Sequence, residues 1–334
     1  MESQRLKDIL RGFCRVRLLV LGDYFLDEYL VVDPSLTETS IETGLEARQV
    51  VEIRNSPGAA GTVCSNLVAM GAQVEAMGII GDDGNGYELV RGLKERGVGT
   101  ELMVMAADRS TPTYTKPMKK LPDGTEDEME RIDIKNRSAT PFVLEQRVLA
   151  NLRAAVQSVD GVIIGDQVDE DECGVVTAKV RAELARLSVQ NRGKVFFADS
   201  RSRIGKFSEV MIKPNEKEAA AVVGTGLDED KLVRGLYRIA RKPVFLTRGE
   251  QGILIYDGRK SWHCPAVPVC GPIDIVGAGD SATAGIVAAL CSGASLVEAG
   301  EIGNLAASVT IRKLGTTGTA SQQEVLEAFE RMAG

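Results

Sequence analysis

Short, nearly continuous apolar runs recur along the chain at 16–21, 74–80, 161–164, 194–198, 210–213 and 243–247. Runs of this length, rich in β-branched residues, read as strands buried on both faces of a sheet. Between them, 60–70, 86–96, 141–157, 173–189, 216–223 and 229–239 carry apolar residues at helical spacing. This alternation predicts an α/β fold, with a mostly parallel central sheet, helices on both faces and right-handed crossovers.

Two stretches break the alternation. At about 29–53 and 113–133, alternating residues and charged turns predict antiparallel strands, read here as a small β lid. The segment Leu121-Pro-Asp-Gly-Thr-Glu-Asp127 has the composition of a hairpin turn at its tip. Residues 1–12 and 321–333 read as terminal helices. No repeat or Pro/Ser-rich linker separates a second domain, so 1–334 is expected to be one domain carrying the lid as insertions.

Composition narrows the function. With 334 residues, 44% of them hydrophobic, a large core can form. The longest apolar runs, such as 16–21 and 286–291, fall far short of the ~20 residues that a spanning helix needs. The N-terminus mixes Glu2, Arg5, Lys7, Asp8 and Arg11 into its apolar residues, unlike a secretory signal, so a cytoplasmic location and no membrane partner are expected. The net charge of −7 is spread without a long basic block, which disfavours nucleic acid. Six cysteines without CxxC spacing suggest buried thiols rather than disulfides or zinc. The lone histidine, His263, would have to carry any imidazole chemistry by itself.

The stretch Asp274-Ile-Val-Gly-Ala-Gly-Asp-Ser-Ala-Thr-Ala-Gly285 is a glycine turn leading into a small-residue helix. Backbone N–H groups of Gly277, Ala278 and Gly279 would converge at the helix start, where free donors and the macrodipole favour a phosphate. Asp280, in the first turn, could accept a proton from an attacking hydroxyl. The plainer reading is an ordinary turn with Asp280 capping the helix. Neither a Walker A sequence nor a GxGxxG fingerprint is present.

With Pro57-Gly-Ala-Ala60, this stretch resembles the two glycine signatures of the PfkB carbohydrate kinases, and the similarity extends over nearly the whole chain. The resemblance implies a ribokinase-like three-layer sandwich, MgATP as phosphoryl donor and Asp280 as general base. Lys213-Pro-Asn-Glu-Lys-Glu-Ala219 looks like the family's Asn-x-x-Glu element, which implies that Asn215 neighbours the ATP phosphates and Glu218 orders Mg²⁺ through water. Asn215 and Glu218 also suit a plain capping box. Thr247-Arg-Gly-Glu-Gln-Gly252 resembles the family's nucleotide-contacting loop through Thr247, Gly249 and Gly252, and taken alone would mean only a hairpin. Asn304-Leu-Ala-Ala307 is similar to the helix over adenine. Lys313-Leu-Gly-Thr316, with Gly315, resembles a loop facing Asp274 and Val276 around a candidate K⁺ site.

Within the family, Gly22-Asp-Tyr-Phe-Leu-Asp27, Arg131-Ile-Asp133, Pro214-Asn215 and Lys313 to Thr316 resemble the bacterial D-glycero-D-manno-heptose 7-phosphate 1-kinases. That implies sugar contacts from Asp23, Asp27, Gly58, Ala59 and Asp166. It also leaves Lys116 and Arg131 to hold a phosphate already on the sugar, or to be solvated surface charges. The chain departs from the pattern at Gly58-Ala-Ala-Gly-Thr62, where Gly-Gly-Ala-Ala-Asn is usual, and after Asp166, where Gln167 replaces a tyrosine. Another sugar, sugar phosphate or nucleoside as acceptor, or a noncatalytic sensor, are the alternatives. No nucleotidyltransferase region follows the kinase part in this sequence. Exposed lid edges predict a homodimer.

Overall fold

The computed structural model describes residues 1–315 and 317–333; the expected contribution of Thr316 to the Lys313 loop lies outside the described residues. Along the chain, α1 (Ser3–Gly12) leads into β1 (Arg17–Gly22) and, after Asp23 alone, β2 (Tyr24–Val32). A hairpin of β3 (Glu38–Thr39) and β4 (Glu46–Ala47) precedes β5 (Val50–Ala59), which runs directly into α2 (Ala60–Ala69). Next come β6 (Gln73–Met77), β7 (Ile79–Gly81), α3 (Gly84–Glu95), β8 (Val104–Ala106), β9 (Thr113–Lys120), β10 (Glu126–Glu128), β11 (Ile132–Ile134) and α4 (Phe142–Ala155). The second half holds β12 (Gly161–Asp166), α5 (Ala178–Gln190), β13 (Val195–Ser200), β14 (Met211–Ile212), α6 (Glu216–Val223), α7 (Glu229–Ala240), β15 (Val244–Thr247), β16 (Ile253–Tyr256) and β17 (Ser261–Cys264). Three helices close the fold: α8 (Ala278–Cys291), α9 (Leu296–Thr310) and α10 (Gln322–Ala333).

The central sheet has the order β17-β16-β15-β14-β13-β12-β1-β6, parallel from β6 to β15 and antiparallel only at β16 and β17. Alternate residues of β1 enter opposite cores: Leu18 and Val20 join one, Leu19 and Leu21 the other. Burial on both faces is why these strands read as unbroken apolar runs rather than alternating ones. Side chains from α1, α2, α8, α9 and α10 fill the first core; those from α4, α5 and α7 fill the second.

The lid is the sheet β10-β9-β2-β5, with β11 paired to β9. Three of its pairings are antiparallel, but β2 and β9 run parallel because the chain travels through α2, β6 and α3 before returning. Its strands reach further than the sequence suggested, so Asp27 and Gly58 are lid residues. Two other boundaries moved. The predicted strand 74–80 breaks at Gly78, where any side chain would strike the Tyr24 ring and the Gly22 carbonyl. The predicted helix 173–189 begins only at Ala178, capped by Thr177, because the preceding residues form a loop fastened to Asp23. No helix among the described residues is long and apolar enough to cross a membrane. The described cysteines are all unpaired, and His263 Nε2 lies 2.7 Å from the Gln251 carbonyl at the sheet edge.

Candidate active site

The parallel strands β1, β12, β13 and β14 end on one side of the sheet, the side where open α/β sheets bind ligands. Gly277 precedes α8 with φ 81°, and a Cβ there would lie 2.6 Å from Thr317 Cγ2 and 3.4 Å from Thr62 Cγ2, so only glycine fits. The first full helical bond is Ser281 N–H to the Gly277 carbonyl. Ala278 N–H is turned back to the Ile275 carbonyl at 3.2 Å, which corrects its expected place in the anion hole. The backbone donors left for an incoming anion at this helix start are therefore those of Gly277 and Gly279, with that of Asp280 beside them.

Asp280 is partly exposed as a residue, yet its carboxyl group is enclosed. Burial pushes it up to about 7, the charge of Asp199 and then that of Asp27 add to the rise, and Lys213 and Arg201 oppose it. A carboxylate with that affinity for protons can accept one from a hydroxyl near neutral pH. Beside it, the buried Lys213 places Nζ 2.8 Å from Asp199 Oδ2, and a methyl on Gly279 would stand 3.5 Å from the same Nζ. Burial works against the charge on Lys213, but Asp199, Glu218 and Asp280 outweigh it and hold its proton tightly. Sequence reasoning missed Lys213, Asp199 and Arg201 as site residues. The available signal was a charged residue ending each of two apolar strands.

Glu218 and Asn215 form the capping box in full: Asn215 N–H and Nδ2 donate to Glu218 at 2.8 and 2.7 Å, and Glu218 N–H donates to Asn215 Oδ1. Desolvation still pushes Glu218 up to about 6, with Asp199 adding to it. The box holds the carboxylate close to Lys213 without neutralising it, which suits a partner for a hydrated Mg²⁺. Thr247 Oγ1 donates to the Pro214 carbonyl, tying the β15 end to this segment.

On the acceptor side, Asp27 points beneath the lid, where a Cβ on Gly58 would come within 2.5 Å of its Oδ2. Desolvation raises its affinity for protons against the charges of Lys116 and Arg131. Lys116 Nζ lies 4.9 Å from the Tyr29 ring centroid, and Arg131 stacks 4.2 Å from that of Tyr114 while gripping Asp133 at 2.7 and 2.9 Å. Ala59 is strained, at φ 52° and ψ −119° without a glycine's freedom.

Several expected contacts are corrected. Asp23 is 2% exposed and accepts the N–H groups of Gln167, Val168 and Val175 at 2.8–2.9 Å, so it fastens a loop instead of facing a sugar. Asp166, 1% exposed, is gripped by Arg203 Nη2 at 2.6 Å and by Ser200 Oγ at 2.6 Å. Each carboxylate accepts three hydrogen bonds from the chain's own donors, most of its capacity. Gly252 is required by its neighbours, since a Cβ would meet the Cys264 carbonyl at 2.2 Å, while Gly249 turns freely at φ 53°. Asn304 Nδ2 donates to the Cys264 and Pro265 carbonyls, bracing the end of β17. Near the candidate K⁺ position, Asp274 N–H bonds the Ile311 carbonyl, Val276 N–H bonds Asp274 Oδ1, and Gly315 has φ 69°.

A glycine-gated helix start, a proton-hungry carboxylate within it and a polar roof over both define a phosphotransferase that acts on hydroxyl groups. The sequence matches the pfkB family of carbohydrate kinases over residues 26–323, and the chain belongs to that family: it is an ATP-dependent carbohydrate kinase. It is 28% identical over 335 residues to the Bifunctional protein HldE of Pelobacter propionicus, and 30% identical over 336 residues to that of Shewanella amazonensis. Both alignments take in 98% of this chain; the chain spans 66% and 67% of those relatives. Among solved structures, Arabidopsis thaliana ribokinase complexed with ribose and ATP matches with TM-score 0.69 and 18% identity, over 94% of this chain and 99% of that one. Phosphofructokinase-2 from Escherichia coli in complex with potassium matches with TM-score 0.70 and 19% identity, over 96% and 99%. These two establish the ribokinase-like fold.

Proposed function

We propose that the chain transfers the terminal phosphoryl group of MgATP to the anomeric hydroxyl of a phosphorylated sugar of the heptose 7-phosphate class. The observation that carries this reading is the convergence of Asp280 and Asp27, close enough that the charge of Asp27 raises the proton affinity of Asp280. Asp27 orients the acceptor by taking hydrogen bonds from its hydroxyls, with Gly58 and Ala59 passing beneath the ring. Asp280 removes the proton from the attacking oxygen. The N–H groups of Gly277, Gly279 and Asp280 and the ammonium of Lys213 face the charge that develops on the transferring group. Glu218 and Asn215 would hold a hydrated magnesium ion beside the phosphates, where it would supply neutralisation of phosphate charge. Thr247, Gly249, Gly252 and Asn304 frame the nucleotide, and Asp274, Val276 and Gly315 frame the candidate K⁺ site.

The phosphorylated character of the acceptor rests on Lys116, which among the described residues has no carboxylate within 4.0 Å and sits above Tyr29 near Asp27. Its charge-assisted donors suit a phosphate, with Arg131 one rung away. The similarity to HldE proteins supports the same choice. A different acceptor is favoured by Thr62 and Gln167, which stand where the heptose-kinase pattern has other side chains. MgATP consumption measured across heptose 7-phosphate, fructose 6-phosphate, fructose, ribose and adenosine decides between them. Turnover with the heptose phosphate alone, lost in Asp280→Asn, is the expected result; turnover only with an unphosphorylated acceptor overturns the proposed substrate.

The lid supports a homodimer. Strand β5 is a sheet edge, and Val50, Val51 and Ile53 on it are exposed together with Ile41 and Leu45. Light scattering on the parent and on Ile53→Lys tests this; a mass of two chains that falls to one is expected. The use of ATP as phosphoryl donor fits a cytoplasmic enzyme.

A further inference from the structure

Asp199, the next-to-last residue of β13, lies within reach of the reaction centre, and the mechanism above gives it no task. Its Oδ2 accepts from Lys213 Nζ at 2.8 Å and from Thr283 Oγ1 at 3.3 Å. That one hydroxyl proton is shared with the Gly279 carbonyl, which lies nearer at 3.0 Å, in the first turn of α8. One carboxylate oxygen thus joins the end of β13, the segment after β14 and the start of the helix that faces the phosphate. A free lysine stem samples many rotamers, and confining it costs side-chain entropy. Here the confinement is built in before any ligand arrives.

We propose that Asp199 is a positioning residue for phosphoryl transfer, holding the Lys213 ammonium beside Gly279 so that it meets the oxygens of the transferring group. The inference rests on the kinase reading and deepens it. A buried ion pair can also be purely structural, and the charges around Asp280 separate the two roles. From β13 and the residues after it, Asp199 and Arg201 face Asp280; Lys213 faces it from the segment after β14, and Asp27 from the lid. Asp199 and Asp27 favour its protonated form, while Lys213 and Arg201 favour its ionised form. Removing Asp199 or Lys213 therefore shifts the acid limb of activity in opposite directions.

The test is a double-mutant cycle of Asp199→Asn and Lys213→Met, with Asp199→Glu as the variant that keeps the charge and alters its reach. Each single change is expected to lower kcat about 100-fold, and the double variant to lose no more than Lys213→Met, because Asp199 acts through the lysine. The acid limb of kcat/KM moves to lower pH in Asp199→Asn and to higher pH in Lys213→Met. Asp199→Glu keeps the limb of the parent, recovers part of kcat and still reports if the asparagine variant does not fold. Calorimetric MgATP binding, which needs no acceptor, carries the same cycle: about tenfold weakening in each single variant and no further loss in the double. Independent, multiplying losses, or acid limbs that move the same way, overturn the proposal. Absent turnover in the parent with every acceptor would overturn the kinase reading, and the binding cycle would still decide the role of Asp199.

Discussion

Strands β12 and β13 lie side by side and each carries an aspartate at or next to its end, Asp166 on one and Asp199 on the other, each paired with a buried cation. Around Asp166 the pairing is closed: Arg203 and Ser200 fill that carboxylate, and three backbone N–H groups fill Asp23 beside it. Around Asp199 the arrangement stays open. Asp280 has charges for neighbours rather than donors and is pushed up to about 7; Asp23 is also raised, to about 6, by burial and the charge of Asp166, so it is the donors around it and not its proton affinity that set the closed side apart. A carboxylate saturated by its own chain holds a fold together; one desolvated among unsatisfied charges is available for chemistry.

Asp280→Asn is the sharpest way to break this contrast. It should reduce kcat by about 10³–10⁴-fold with the circular dichroism spectrum unchanged. Because the folded chain holds this proton more tightly than the unfolded one, ionising Asp280 costs stability as pH rises from about 4 to about 7. The same variant should therefore be more stable than the parent above pH 7, by about 1–2 kcal/mol in urea titration. In the parent, activity should fall away below about pH 7 as Asp280 takes up its proton.

On the closed side, Arg203→Met leaves Asp166 buried without its partner. A loss of about 3–5 kcal/mol of stability is expected, with kcat nearly kept in the protein that remains folded. Lys116→Met should raise KM about 10- to 100-fold for a phosphorylated acceptor and hardly at all for MgATP, since a charge-assisted bond contributes about 1.5–3 kcal/mol. Equal KM for both acceptor types in parent and variant would remove the phosphate subsite. The smallest effect is that of Ala59→Gly, which releases a strained backbone and should add about 1 kcal/mol to stability.

The two Asp regions also show how far the sequence could be read. The glycine turn and Asp280 were legible because their geometry is local: Gly277 and the helix start are neighbours in the chain. The alternation of buried strands likewise reported the parallel sheet. Asp23 and Asp166 were misread as sugar ligands because a carboxylate after a strand looks the same whether its lone pairs are free or filled. The donors that fill them come from a loop more than 140 residues distant from Asp23 and from Arg203, 37 residues after Asp166. Lys213 escaped notice as a site residue for the same reason, since its meaning depends on the adjacent strand. The capping box of Asn215 and Glu218 was readable as structure, but not the desolvation that accompanies it.

The lid is attached without slack. Strand β1 passes into β2 through Asp23 alone, and β5 passes into α2 with no residue between them. Asp23 is itself pinned to the loop from Gln167 to Val175, and Thr62 in the first turn of α2 lies against Gly277. The roof is therefore joined to the floor by short links, along which a tilt of the lid would be carried through α2 to the glycine that shapes the anion hole.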